Sequence, residues 1–296
     1  MLRSCSLFGQ LLRLFSRPDF EAAVRYHGGD RYVKRFSCWD QFVSMLFCQL
    51  AQAHSLREIC GGLRCCLGKL NHLGVAAAPK RSTLAHANAN RPWEIYQAVF
   101  YQLLARCKEI APGHRFRFKN KLYSLDSSVI DLALSLFDWA RFTQTKGAVK
   151  LHLLLDHDGY LPEFAHVTEA KAADLTVARM LELAPGSIVV FDRGYNDFRL
   201  FRDWTEKGVS FVTRLKRGTN YLVTELRDTA RHRGVISDQV ITLRSDQGQQ
   251  DCPHPLRVVV YHDEASGRTF RFLTNDFKRS PVTIAEIDRE RWQIEL

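Results

Sequence analysis

Between residues 38 and 50 the apolar positions Trp39, Phe42, Val43, Leu46, Phe47 and Leu50 recur at three- and four-residue spacing, which predicts an amphipathic helix. Similar periodicity covers most of residues 5–70. Asp40 and Ser55 stand where helix starts are expected, and Ser55-Leu-Arg-Glu58 has the spacing of a capping box. Gly61-Gly62 is expected to break or bend the helix that Ser55 opens. A basic turn, Pro79-Lys-Arg-Ser-Thr83, leads into a further helix start, and a longer helix is predicted from about Pro92 to Lys108.

After Ala111-Pro-Gly113 the period changes from helical to alternating. Phe116 and Phe118 alternate with Arg115, Arg117 and Lys119, and the strand-like Leu122-Tyr-Ser-Leu125 delivers Asp126. Residues 149–155 and 164–168 predict two more strands around a turn at Asp158-Gly159. A helix is predicted from about Ala173 to Leu183. The apolar run Ser187-Ile-Val-Val-Phe191 then reads as a buried strand that delivers Asp192. Residues 196–207 read as a helix stopped by Gly208, and residues 209–213 as another strand. Three strands, helix, strand, helix, strand is an α/β order that matches a ribonuclease-H-like topology, in which the first and fourth strands are neighbours. Such neighbours would bring Asp126 and Asp192 together across 66 residues of chain.

The predicted organisation is therefore α/β. A helical, basic N-terminal DNA-binding domain over 1–112 precedes a ribonuclease-H-like catalytic core. The core begins over 113–216, a β-rich insertion follows over 217–276, and the core resumes over 277–296 with a helix that carries Glu295. That helix is expected to be incomplete, because the chain stops one residue after Glu295.

Charge sharpens this picture. Of the net +10, residues 1–121 carry 19 Lys/Arg against 7 Asp/Glu, and the remainder carries 23 against 25. A basic bias confined to the helical part is the footprint of a surface that meets nucleic-acid phosphates, or of a solubilising face. No apolar run approaches the length of a membrane span. The eight cysteines form no C-x₂-C pair, and Cys60, Cys65, Cys66 and His72 do not have zinc-knuckle spacing. Reduced thiols in a cytoplasmic, nucleoid-associated protein are the simpler expectation.

Cleaving or joining a phosphodiester needs an in-line nucleophile, charge relief on the phosphate and a stabilised leaving oxygen. Two Mg2+ ions about 4 Å apart supply all three, held by a few carboxylates. Asp126 and Asp192 on strand ends with Glu295 on a late helix suit that chemistry, with Mn2+ as a substitute ion. Arg291, one helical turn before Glu295, is a candidate for the phosphate beside the scissile bond. Lys80, Arg81, Lys150, Arg193, Arg214 and Lys216 are candidates for DNA contact or simply solvated cations. Taken singly, each acid has an ordinary alternative. Asp126 and Asp192 suit turns or caps, and Arg291 with Glu295 suits a helical ion pair.

Together the motifs resemble one family, the insertion sequence 4 type of bacterial DDE transposases. The matching stretches are Asp30-Arg-Tyr-Val-Lys-Arg-Phe36, Ser37-Cys-Trp-Asp-Gln-Phe42, Lys80-Arg-Ser-Thr-Leu84, Ser124-Leu-Asp-Ser-Ser128, Phe191-Asp-Arg-Gly-Tyr195, Thr213-Arg-Leu-Lys216 and Arg291-Trp-Gln-Ile-Glu-Leu296. The resemblance implies metal-dependent cleavage of double-stranded DNA at terminal inverted repeats and strand transfer into target DNA, by a homodimer on DNA. It also implies Asp126, Asp192 and Glu295 as the metal-binding acids and Arg291 as the phosphate contact. Two departures stand out. Asp288 occupies the signature's Tyr position, where a carboxylate repels phosphate, and the signature's Lys beyond Glu295 is absent. These lead to the expectation that the chain cleaves DNA poorly or not at all, with a non-catalytic DNA-binding remnant or an inhibitor of transposition as the alternative.

Overall fold

The computed structural model describes residues 6–66, 68–132, 147–230 and 233–291. The chain divides into two units, residues 1–110 and 111–296.

The first unit holds α1 (Leu7–Leu12), α2 (Arg17–His27), α3 (Cys38–Leu50), α4 (Leu56–Cys65), α5 (Arg81–Asn90) and α6 (Glu94–Ile110). Serines start four of them. The hydroxyls of Ser6, Ser16, Ser37 and Ser55 each accept from the amide three residues on, which satisfies one of the orphan donors of a first turn. At α3 the cap is Ser37 rather than Asp40. Asp40 sits one turn in and accepts from the Ser37 amide at 2.7 Å, closing a capping box. Phe20, Trp39, Phe42, Val43, Ile59, Leu63, Leu84 and Ile95 fill the core. Gly61 and Gly62 do not end α4, which runs on to Cys65. A Cβ on Gly62 would lie 2.7 Å from Cζ of Phe47, so this glycine lets α3 and α4 approach closely.

Among its described residues the second unit is built on nine strands: β1 (Leu122–Leu132), β2 (Gly147–Asp156), β3 (Leu161–Glu169), β4 (Ile188–Phe191), β5 (Ser210–Arg214), β6 (Tyr221–Leu226), β7 (Val235–Leu243), β8 (Leu256–Asp263) and β9 (Arg268–Thr274). They form one sheet in the order β3-β2-β1-β4-β5-β9-β8-β7-β6. The first three strands pair antiparallel, whereas β4 and β5 run parallel to β1. The adjacency of first and fourth strands expected of a ribonuclease-H-like order is present. The strands after residue 217 extend the same sheet, because β9 pairs with β5.

β4 shows why this sheet needs cover on both faces. All four of its residues are buried. Val189 and Phe191 face one cluster with Leu200, Phe201 and Trp204 of α8 (Phe198–Glu206). Ile188 and Val190 face the other, with Ile284, Ala285 and Ile287 of α10 (Pro281–Arg291). Each fully buried aromatic or aliphatic side chain there contributes about 1.5–3 kcal/mol.

Two expectations from the sequence need correction. Residues 115–119 form no strand, and Phe116 and Phe118 instead stack on each other with centroids 5.0 Å apart. The helix expected over Ala173–Leu183 is α7, only Asp174–Ala178. It tightens into three-residue turns, Met180 to Val177 and Leu181 to Ala178, which bring Leu181 into the core. A short helix, α9 (Asp246–Asp251), capped by Ser245, lies between β7 and β8.

Candidate active site

The parallel register of β1 and β4 pairs Leu125 with Phe191. Asp126 and Asp192 are therefore the next residues of the two neighbouring strands. They differ in one respect from the sequence expectation. β1 does not end at Asp126 but continues to Leu132 against β2, with Asp126 opposite Leu153. Asp126 marks the point where β4 leaves β1, and only its β4 side opens.

Local bonds fix both carboxylates. Asp126 accepts from the Ser127 amide at 2.8 Å through Oδ1, and its Oδ2 lies 3.4 Å from Nη1 of Arg291. Asp192 caps a three-residue helical turn, Arg193–Tyr195, by accepting from the Gly194 amide at 2.7 Å. A Cβ at Gly194 would lie 2.8 Å from that same oxygen, so a larger residue there would displace the Asp192 carboxylate. Thr213 of β5 donates to Oδ1 of Asn196 at 2.9 Å and braces the end of the turn.

Tyr195 is buried beside these acids. Burial raises its phenol above the ordinary range, and the charges of Asp174, Asp126 and Asp192 push it the same way. Asp174, at the start of α7, accepts from Oγ of Ser127 at 3.0 Å and pairs with Lys150 at 3.1 Å, and Nδ1 of His152 lies 3.6 Å away. Residue types alone do not single out Tyr195, Ser127 or Asp174. An acid opening a short helix looks like an ordinary cap residue, and its place beside Asp126 comes from the β1–β2–α7 packing.

The candidate cations fall into two sets. Lys150 turns into the protein, where it pairs with Asp174 and donates to the Ala172 carbonyl, leaving 14% of its side chain exposed. That placement makes it a brace for the site instead of an outer DNA contact. Arg291 is buried against Asp126. Arg214 donates twice to Oδ2 of Asp288, at 2.8 and 3.1 Å, and its guanidinium lies 4.5 Å from the Phe270 ring centroid. Asp288 is thus buried and neutralised by Arg214, not a bare carboxylate presented to phosphate; burial raises its carboxyl above the usual range. Arg193, Lys216, Lys80 and Arg81 are exposed, the last two where α5 begins in the first unit. Glu295 lies outside the described residues.

Among the described residues no group of three or more His, Cys, Asp or Glu side chains is placed to hold a metal ion. Asp126 and Asp192 nevertheless follow the last paired residues of adjacent strands, and carboxylate oxygens are the donor chemistry that Mg2+ or Mn2+ prefers. Among the described residues, no helix is long and apolar enough to cross a membrane.

Residues 118–296 match the family model described as "Transposase DDE domain". Residues 3–76 match one described as "Domain of unknown function (DUF4372)". The chain is 31% identical over 223 residues to "Putative transposase y4zB" of Sinorhizobium fredii, covering 74% of this chain and 61% of that protein. It is 25% identical over 217 residues to "Probable transposase for insertion sequence element IS5377" of Geobacillus stearothermophilus, covering 73% of this chain and 56% of that protein. The chain therefore spans about three-fifths of the length of the curated relatives it matches. A piggyBac transposase synaptic complex with hairpin DNA shows a loose structural likeness, at 9% identity and a TM-score of 0.45, covering 99% of this chain and 68% of that one. The DDE-domain match spans more than half of the chain, and the chain belongs to the DDE-domain transposase family.

Proposed function

We propose that this chain cleaves double-stranded DNA at the terminal inverted repeats of a mobile element and transfers the ends into target DNA. The observation that carries the reading is the β1–β4 register. It sets Asp126 and Asp192 side by side, with Arg291 of α10 on Asp126. Glu295 follows Arg291 by four residues in the sequence and is proposed as the third acid of the motif.

Asp126, Asp192 and Glu295 would hold divalent ions, Mg2+ or in its place Mn2+. Such ions, when bound, neutralise phosphate charge and lower the pKa of coordinated water. The remaining work falls to the chain itself. Arg291 is within reach of a phosphate held at Asp126, where its planar fork suits two phosphate oxygens. Arg214, stacked on Phe270 and held by Asp288, adds a second fixed cation near the same helix. Tyr195, Asp174 and Lys150 fix the floor beneath the two aspartates. Exposed Arg193, Lys216, Lys80 and Arg81 would contact DNA backbone. Two copies on paired element ends, acting on chromosomal DNA in the cytoplasm, complete the proposal.

The test is cleavage and joining of a labelled duplex carrying the element's own terminal repeat, in Mg2+ and in Mn2+. Nicks at the repeat and joined products are expected. Both should fall by at least two to three orders of magnitude in Asp126→Asn and in Asp192→Asn, with DNA binding retained. Undiminished cleavage in either variant overturns the site assignment. Nicks without joined products would reduce the activity to that of a nuclease.

A further inference from the structure

The loop between α2 and α3, residues 28–37, carries the stretch Asp30-Arg-Tyr-Val-Lys-Arg-Phe36, and the strand-end acids give it no role. Its roots are tightly fixed. Gly28 ends α2 in the left-handed conformation, φ 67°. A Cβ on Gly29 would lie 2.4 Å from Cδ1 of Ile95 and 2.8 Å from Sγ of Cys38. Asp30 accepts from the Cys38 amide at 2.7 Å. Arg91 donates to the Ser37 carbonyl at 2.8 Å and also to that of Phe36.

Between these roots the chain behaves differently. Arg31, Tyr32, Val33, Lys34 and Arg35 are all exposed. Tyr32 sits in the tight turn closed by the Val33 amide on the Asp30 carbonyl. Its φ is 64°, a left-handed backbone that glycine adopts freely and a bulky residue does not. Yet 86% of Tyr32 is exposed, so burial does not account for its ring either. A strained backbone displaying an aromatic ring to solvent points to a partner outside the fold. The Arg31 guanidinium lies 5.1 Å from the Tyr32 ring centroid, and Lys34 and Arg35 follow within three residues. The Asp30 carboxylate is engaged by the Cys38 amide and lies 3.9 Å from Arg91, and the exposed tip carries three cations and one ring within five residues.

We propose that this loop is a duplex-DNA contact of the first unit, in which Arg31, Lys34 and Arg35 neutralise phosphates and Tyr32 inserts its ring at a base step. Cations beside an aromatic wedge are the chemistry that grips a backbone and opens a stack. The rigid roots lower the ordering cost, because the loop is already in its displayed form before DNA arrives. The proposal rests on DNA as the partner, as inferred above.

The experiment uses the full chain and a mixed-sequence duplex with a fluorescent adenine analogue within the stack. Binding is read by anisotropy at several salt concentrations, and unstacking by analogue emission. The unaltered chain should bind and raise emission. Tyr32→Gly should bind roughly tenfold more weakly without the emission rise, while its salt dependence and melting temperature are preserved or the latter rises. Replacing Arg31, Lys34 and Arg35 together by Ala should flatten the dependence of log K on log salt by about 0.9 per lost phosphate contact. Unchanged affinity, emission and salt slope in these variants, with DNA bound by the unaltered chain, overturn the loop assignment alone. A Tyr32→Gly chain that fails to fold does the same, since Tyr32 would then be structural. An unaltered chain that binds no duplex overturns the DNA reading and the loop's role with it.

Discussion

At the scale of single residues, the second unit accommodates buried polar groups by pairing them or by keeping them uncharged. His157 shows the second strategy. It is 1% exposed and its Nε2 lies 2.7 Å from Oγ of Ser124. Burial first, then the charge of His114, hold its imidazole down at about 4, against the opposing influence of Glu290, Asp156 and Asp158. In the unfolded chain the same ring titrates near 6.5. Between these values the unfolded state binds more protons, so folding stability rises with pH across the window. It is fully present above about 6.5 and lost as pH falls toward 4, by an amount on the order of 3 kcal/mol. Urea midpoints at pH 7 and pH 5 should therefore differ more for the unaltered chain than for His157→Gln. An identical acid shift in both would mean that His157 does not carry the effect. Asp288 shows the first strategy: as an isolated letter it opposes phosphate, but Arg214 four strands away along the chain neutralises it.

At the scale of elements, the glycine pair of α4 separates local propensity from packing. Gly61 has nothing within 4 Å of a built Cβ, whereas Gly62 meets the Phe47 ring. Both lie inside the helix, so Ala is the better helix former at each. Gly61→Ala should then stabilise the chain by about 0.5–1 kcal/mol. Gly62→Ala should destabilise it by about 1–3 kcal/mol, because the Phe47 ring must move in a filled core. Denaturant titration of the two variants decides the matter, and equal effects of the same sign would rule out the packing role. The start of α3 teaches a related lesson. Asp40 was a fair candidate for its cap, and the true cap is Ser37, with Asp40 returning the bond. Both residue types serve at either position, so only the hydrogen-bond geometry tells them apart.

At the scale of the whole molecule, one buried guanidinium links the late strands to the helix that bears Arg291. Arg257 of β8 is 1% exposed and donates to both oxygens of Asp238 in β7, at 2.8 and 2.7 Å. It also donates to the Asp276 and Arg279 carbonyls, just before α10, at 2.7 Å each. Arg257→Met would strand Asp238, itself 2% exposed, at a cost of about 3–5 kcal/mol. The two units have separate cores, so calorimetry should show the variant lowering one transition and leaving the other in place. A common shift of both would contradict separate units. Because the same bonds anchor the approach to α10, DNA cleavage should fall with that transition while the first unit still binds.

What the sequence by itself determined is whatever rests on a few neighbouring residues. Periodicity, with the capping-box spacing at Ser55, marked helices of the first unit, since those signals report hydrogen bonds closed within four residues. The unbroken apolar run Ile188–Phe191 announced a strand buried on both faces and placed Asp192 at its end. Tertiary structure alone decided the rest. That β1 runs past Asp126 depends on β2 offering a partner there while β4 does not. The places of Asp174 and Lys150 beside the acids, and of Arg214 on Asp288, depend on chain crossings tens of residues apart. Side chains brought together by such crossings leave no local spacing to read. Their charges acquire meaning only when burial removes water and obliges each to find the other.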